Sequence, residues 1–137
     1  YAHTDDAFRN IYSSIKKITK KSITTVFGCG GDRDKHKRSV MLDVVSKNSD
    51  FVIITSDNPR NETFDEITKD MLSNSNNDEI KRYFIVEDRE QAIKLGCTLS
   101  IQKKSLLLVA GKGHEKFQEK NGIKTPFDDK KIIIKYS

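Results

Sequence analysis

An alternation constrains this chain more than any other feature. Four apolar runs of strand length, Ile23 to Gly28, Phe51 to Thr55, Tyr83 to Val86 and Leu106 to Ala110, are separated by helix-length segments. Strands that alternate with helical crossovers build an α/β layer fold with parallel pairing. Thr4 to Ile18 has the marks of a helix: Thr4 as N-cap, Asp5 and Asp6 in the first turn, and Phe8, Ile11, Tyr12, Ile15 and Ile18 at spacings of three and four. Further helices are expected over Asp34 to Asn48, Asn61 to Ser73 and Asp88 to Gln102, with the polar stretch Ser73 to Asp78 as an exposed loop. The tail from Lys116 to Tyr136 reads as a hairpin about Asn121-Gly122, with Ile132-Ile133-Ile134 as the last strand. The expected architecture is a three-layer Rossmann-like α/β domain over residues 1–137. Its sheet is mainly parallel, with an antiparallel edge at the C-terminus.

Length and charge narrow the function. The 137 residues match one domain, since independent cores form in units of about 100–150 residues. The start on Tyr1 suggests a piece of a longer protein. Lysines are dispersed along the chain, and the net charge of +5 comes with no recognition module or basic-aromatic interleaving, so nucleic acid is not an expected partner. No apolar run approaches the roughly 20 residues of a spanning helix, and no secretory leader opens the chain, so no membrane partner is expected. Cys29 and Cys97 lie far apart without a C-x-x-C pair, which points to neither a zinc site nor a disulfide framework. A reducing cytoplasm is the expected compartment.

Three loops hold the unusual residues. They are Gly28-Cys29-Gly30-Gly31-Asp32-Arg33-Asp34-Lys35, Ser56-Asp57-Asn58-Pro59-Arg60 and Gly111-Lys112-Gly113-His114-Glu115, each directly after a strand. In an open α/β sheet, ligands bind outside the carboxyl ends of the strands, so all three should face one crevice. Gly30 and Gly31 suit either a positive φ or a close approach of another backbone or a ligand. G-C-G-G-D is not the G-x-G-x-x-G fingerprint, and Gly111-Lys112-Gly113 is not a Walker A loop, so no nucleotide-phosphate cradle is recognisable.

Single residues leave alternatives open. Arg60 fits a carboxylate-binding fork or a surface salt bridge, and Asp57 with Asn58 fits ligand contact or an Asx turn before Pro59. Arg33 either faces a ligand or pairs with Asp32 and Asp34. His114 and Glu115 fit a site or a local structural role. Taken together, two arginines with an Asp and a Glu over one crevice complement a zwitterion with several carboxylates and ammonium groups. No serine or cysteine nucleophile has a base beside it and no His/Cys metal cluster exists, so the pattern suits amino-acid recognition and supplies no catalytic residue.

At these motifs the chain resembles the C-terminal domain of the Mur ligases, within them the tripeptide synthetase branch. Tyr1-Ala2-His3-Thr4, Val26 to Arg38 (VFGCGGDRDKHKR), Asp57-Asn58-Pro59-Arg60, Ala110 to Glu115 (AGKGHE) and Phe127-Asp128-Asp129 follow the family pattern in order. Asp5, His36 and Ser39 depart from it. The resemblance implies an ATP- and Mg2+-dependent ligase that joins meso-diaminopimelate, or an analogue such as lanthionine, to UDP-MurNAc-L-Ala-D-Glu through an acyl phosphate. It also implies that UDP-binding and ATPase domains lie outside this chain, which would be inactive alone. Carried over by motif, Arg60 grips the carboxylate at the non-reacting end, with Asp57, Asn58 and Pro59 beside it. The Gly111 carbonyl and Glu115 hold the distal ammonium, and Arg33 holds the carboxylate near the attacking amine. Tyr1, His3 and Lys35 are implied to lie near the nucleotide. The alternative is a stand-alone α/β amino-acid- or nucleotide-binding module without ligase activity.

Overall fold

The computed structural model describes residues 4–112 and 115–137. The first helix, α1 (Asp5–Ile18), starts where its cap predicts, with the Thr4 hydroxyl accepting from the Ala7 amide at 3.1 Å. Strand β1 (Ile23–Phe27) leads to α2 (His36–Asn48), β2 (Phe51–Ile54), α3 (Phe64–Met71), the single turn α4 (Asn77–Ile80), β3 (Tyr83–Ile85), α5 (Arg89–Lys103) and β4 (Leu106–Val109). The four strands form one parallel sheet in the order β3-β2-β1-β4. The order reverses between β1 and β4, and that switch point opens a crevice at the carboxyl edge.

Alternate residues of each strand serve two cores. Phe27, Val52 and Ile54 pack with Phe8 and Tyr12 of α1, Leu42 and Val45 of α2 and Ile67 and Met71 of α3. Val26 and Ile53 face the other way, against Ala92, Ile93 and Cys97 of α5. Every residue of β1 is buried, including Thr24 and Thr25, whose hydroxyls would be costly without partners. Thr24 bonds the Ser105 hydroxyl at 2.7 Å, and Thr25 bonds both Tyr12 and Ser49 at 2.7 Å.

Three expectations need correction. The hairpin β5 (Phe117–Lys120) and β6 (Ile123–Pro126) turns at Asn121-Gly122 as its sequence predicts, yet it forms a separate two-stranded sheet and no edge of the main one. Ile132-Ile133-Ile134 is no strand: it lies in α6 (Asp129–Tyr136), where Ile132, Ile133 and Tyr136 pack on the α5 core. Asp128 caps this helix by accepting from Lys130 and Lys131, and burial of one face overrides β-branched propensity. The segment expected as a loop at 73–78 contains the start of α4, whose capping box joins Asn76 and Glu79. Among the described residues no helix is long and apolar enough to cross a membrane.

Stability should follow this division of labour. Ile53→Ala empties a fully buried site in a central strand and is expected to cost about 2–5 kcal/mol in urea unfolding. Tyr12→Phe should cost only about 1 kcal/mol, because Thr25 keeps its bond to Ser49.

Candidate functional site

The three loops do converge. Gly28, Arg33, Asp57, Arg60 and Glu115 line one cavity of about 320 Å³ at the carboxyl edge of the sheet, with Cys29 and Met41 adding apolar wall. Arg38, Lys37 and Asp34 from the start of α2, and Thr4 from the cap of α1, complete the lining. Both signs of charge therefore meet in one concave site, the arrangement a zwitterion requires.

Backbone contact sets the first two loops against each other. A Cβ on Gly28 would overlap the Thr55 carbonyl oxygen, and one on Gly31 would overlap the Pro59 carbonyl oxygen. Gly31 donates its amide to the Asn58 carbonyl at 2.7 Å. Neither Gly30 nor Gly31 takes a positive φ; the left-handed positions are Asp32 at 54° and Arg60 at 53°. A non-glycine residue in that region costs roughly 1–2 kcal/mol, so something must hold Arg60 there. The hairpin does so. The Arg60 amide donates to Glu119 at 3.0 Å, and its carbonyl accepts from Asn121 at 2.7 Å. The side chain is then aimed at the Gly31 carbonyl, 3.0 Å from Nη1, with Nε 3.3 Å from Glu119 Oε1.

Asn58 ties the third loop in. Its Oδ1 accepts from Lys112 Nζ at 3.1 Å and from the Glu119 amide at 2.9 Å, while Nδ2 donates to Glu115 Oε1 at 3.1 Å. Lys112 is fully buried and also donates to the Phe117 carbonyl at 3.0 Å. Its ammonium lies 2.8 Å from Asp57 Oδ1, a charge contact outside good hydrogen-bond alignment. Asn58 therefore acts by placing Glu115 and does not itself line the cavity.

The remaining sequence candidates divide. Arg33 lines the cavity and makes no salt bridge among the described residues; Asp32 instead accepts from Asn61, and Asp34 from the His36 amide. Gly111, at φ 115°, sits against Asp57 without lining the cavity. Pro59 is buried against Gly31. Lys35 lies off the cavity, with Nζ 3.9 Å from Glu62 Oε1. Tyr1, His3, Gly113 and His114 lie outside the described residues.

Sequence reasoning missed the buried cations. Arg38, 1% exposed, donates to Glu62 at 2.7 and 3.1 Å, to Asp70 at 2.9 Å and to the Gly30 carbonyl at 3.0 Å. Glu62 in turn accepts from the Asp32 amide, so this network supports the first loop from beneath. Lys112 and Arg38 both sit inside motifs quoted above, but nothing in a sequence tells a buried lysine or arginine from a solvated one. Burial pushes the Cys29 thiol up to about 12, which removes it as a nucleophile at neutral pH. Among the described residues no cluster of His, Cys, Asp and Glu could hold a metal ion.

Comparison with known proteins gives a consistent picture. The family described as Mur ligase, glutamate ligase domain, matches residues 1–113. A 2,6-diaminopimelate ligase of UDP-N-acetylmuramoyl-L-alanyl-D-glutamate from Cytophaga hutchinsonii is 47% identical over 97% of this chain and 27% of its own length. The protein of the same name from Phocaeicola vulgatus is also 47% identical, over 97% of this chain and 28% of its own. A solved structure of a ligase with that name is 37% identical and superposes with a TM-score of 0.90, over 99% of this chain and 28% of that one. The chain thus spans little more than a quarter of the length of these relatives.

The Arg38–Glu62 pair generates a pH dependence. The Arg38 hydrogen bonds hold the Glu62 carboxyl down at about 2, against an ordinary value of 4.5. A depressed carboxyl contributes stability above its unfolded value and loses it as pH falls from about 4.5 toward 2. Glu62→Gln should therefore lower Tm at neutral pH and flatten the fall of Tm across that acid window, as thermal unfolding against pH will read.

Proposed function

The chain belongs to the Mur ligase family, to its glutamate ligase domain, and from that we propose that it is the amino-acid-recognising part of a diaminopimelate-adding ligase in peptidoglycan synthesis. In this reading the full enzyme joins meso-diaminopimelate to UDP-MurNAc-L-Ala-D-Glu in the cytoplasm, in an ADP-forming reaction. Residues 1–137 are one domain of it and are inactive alone. The observation that carries the reading is the meeting of Arg33, Arg60, Asp57 and Glu115 on one cavity.

The side-chain chemistry fits a doubly zwitterionic diamino acid. Arg60, preset by the hairpin with Nη1 on the Gly31 carbonyl and Nε on Glu119, turns its remaining donors to the carboxylate at the non-reacting end. Glu115, held by Asn58, accepts the distal ammonium beside the Gly111 carbonyl. Arg33, which has no competing ion pair among the described residues, takes the carboxylate next to the attacking amine. Clamping both ends fixes the free amine in one direction, and such orientation removes much of the entropic barrier to a bimolecular step. In this reading ATP, Mg2+ and the UDP-linked acceptor are held mainly by the rest of the enzyme. The conformational closure that brings the two parts together then delivers the amine.

Arg60→Ala in the full-length enzyme should lower kcat/KM for diaminopimelate by about 2–5 kcal/mol, with KM for the UDP-linked dipeptide unchanged. Arg60→Lys should restore little, because an ammonium lacks the fork. Steady-state kinetics with each substrate varied in turn reads this, and unaltered diaminopimelate kinetics in Arg60→Ala would remove the assignment.

A further inference from the structure

The net charge of the chain is not evenly placed in space. At the edge of the sheet opposite the cavity, three of the four strands are preceded by a dibasic pair: Lys20-Lys21 before β1, Lys81-Arg82 before β3 and Lys103-Lys104 before β4. The parallel register sets Ile23 beside Leu106, Thr24 beside Phe51 and Val52 beside Tyr83, which aligns these pairs along one rim. Lys16 and Lys17 at the end of α1 and Lys47 at the end of α2 extend the rim, and Lys16, Lys20, Lys21 and Lys47 surround one open depression. Nine of the 25 Lys and Arg residues stand here against Asp43, Asp50, Asp78 and Glu79, leaving sixteen basic and sixteen acidic side chains elsewhere. The whole charge of +5 thus belongs to this rim.

Structural duties account for part of it. Lys16, Lys17, Lys47 and Lys103 lie in last helical turns, where cations offset the helix dipole. Lys81 and Lys104 cap the C-termini of α4 and α5, while Lys20, Lys21 and Arg82 lie beyond helix ends, and none of these five is in a salt bridge among the described residues. Two aliphatic side chains stand among the lysines. Ile18 is 86% exposed between Lys17 and Lys20, and Ile101 is 67% exposed two residues before Lys103. Such groups insert into an apolar boundary and do not stack on bases, which separates this rim from a nucleic-acid surface.

We propose that this rim is a docking surface for an anionic lipid bilayer, with the lysines against the headgroups and Ile18 and Ile101 seated at the headgroup–acyl boundary. The proposal stands apart from the ligase reading. A peripheral contact needs neither a spanning helix nor a leader, the two marks whose absence led the sequence reading to expect no membrane partner. The docked orientation leaves the cavity, at the other edge of the sheet, facing water.

The test is vesicle co-sedimentation of the full-length protein that carries this chain. It compares phosphatidylcholine vesicles with vesicles containing about one third phosphatidylglycerol, at low and at physiological salt. Binding only to the anionic vesicles, weakened by salt, is expected. Removing each basic charge should weaken binding about fivefold, so the K20Q/K21Q/K103Q/K104Q variant should lose roughly a hundredfold or more. I18S/I101S should weaken binding at unchanged charge, which distinguishes insertion from simple attraction. All six positions are exposed, and circular dichroism checks that the variants stay folded. The proposal is overturned by equal binding to neutral vesicles, by no binding to anionic ones, or by the lysine variant binding as the parent does. Displacement from anionic vesicles by duplex DNA at matched charge, with I18S/I101S indistinguishable from the parent, would assign the rim to nucleic acid instead and equally overturn it.

Discussion

One buried amide organises the cavity edge of this molecule. Asn58 uses its side-chain oxygen for Lys112 and the Glu119 amide, its side-chain nitrogen for Glu115, and its backbone carbonyl for Gly31. Those partners come from the first loop, the third loop and the hairpin. Each bond alone contributes about 1 kcal/mol, but a buried amide bonded through both its oxygen and its nitrogen has little freedom to turn, and its neighbours inherit its position. The cavity exists because three loops with separate strands beneath them are held to a common point.

Buried cations add further ties. Arg38 joins Glu62 and Asp70 to the first loop, and Arg89 makes a bidentate pair with Asp129 at 2.8 Å while donating to the Ser56 and Ala110 carbonyls. Desolvation offsets much of the attraction in such pairs, so their role here is geometric. Through Asp129 the C-terminal helix is fastened to the ends of β2 and β4. The two glycines of the first loop serve the same purpose by letting backbones meet where any side chain would intervene.

The layered fold was readable because each strand was a compact apolar run and most helices carried their own start signal, Thr4 being the plainest case and the uncapped α2 the exception. The convergence of the loops followed from topology alone. What failed to show was tertiary. Three consecutive isoleucines favour a strand until α5 offers them a surface, although Asp128 already marked a helix start. The Asn76–Glu79 box was present in the sequence and was outweighed by the polarity around it. The separateness of the hairpin, and its hold on the Arg60 backbone, depend on a contact across some sixty positions that no local pattern encodes. The lysines looked dispersed because their shared property is a place just ahead of a strand, which is visible only once the strands are set side by side.

The left-handed backbone at Arg60 has a consequence for how this corner of the cavity could be engineered. A guanidinium at this position keeps its direction only while the backbone bonds to Glu119 and Asn121 hold the loop, and without them it would point wherever an unstrained chain sends it. The aim of this side chain is therefore a property of two segments that act together. A graft into an unrelated scaffold can carry it only if both are moved together.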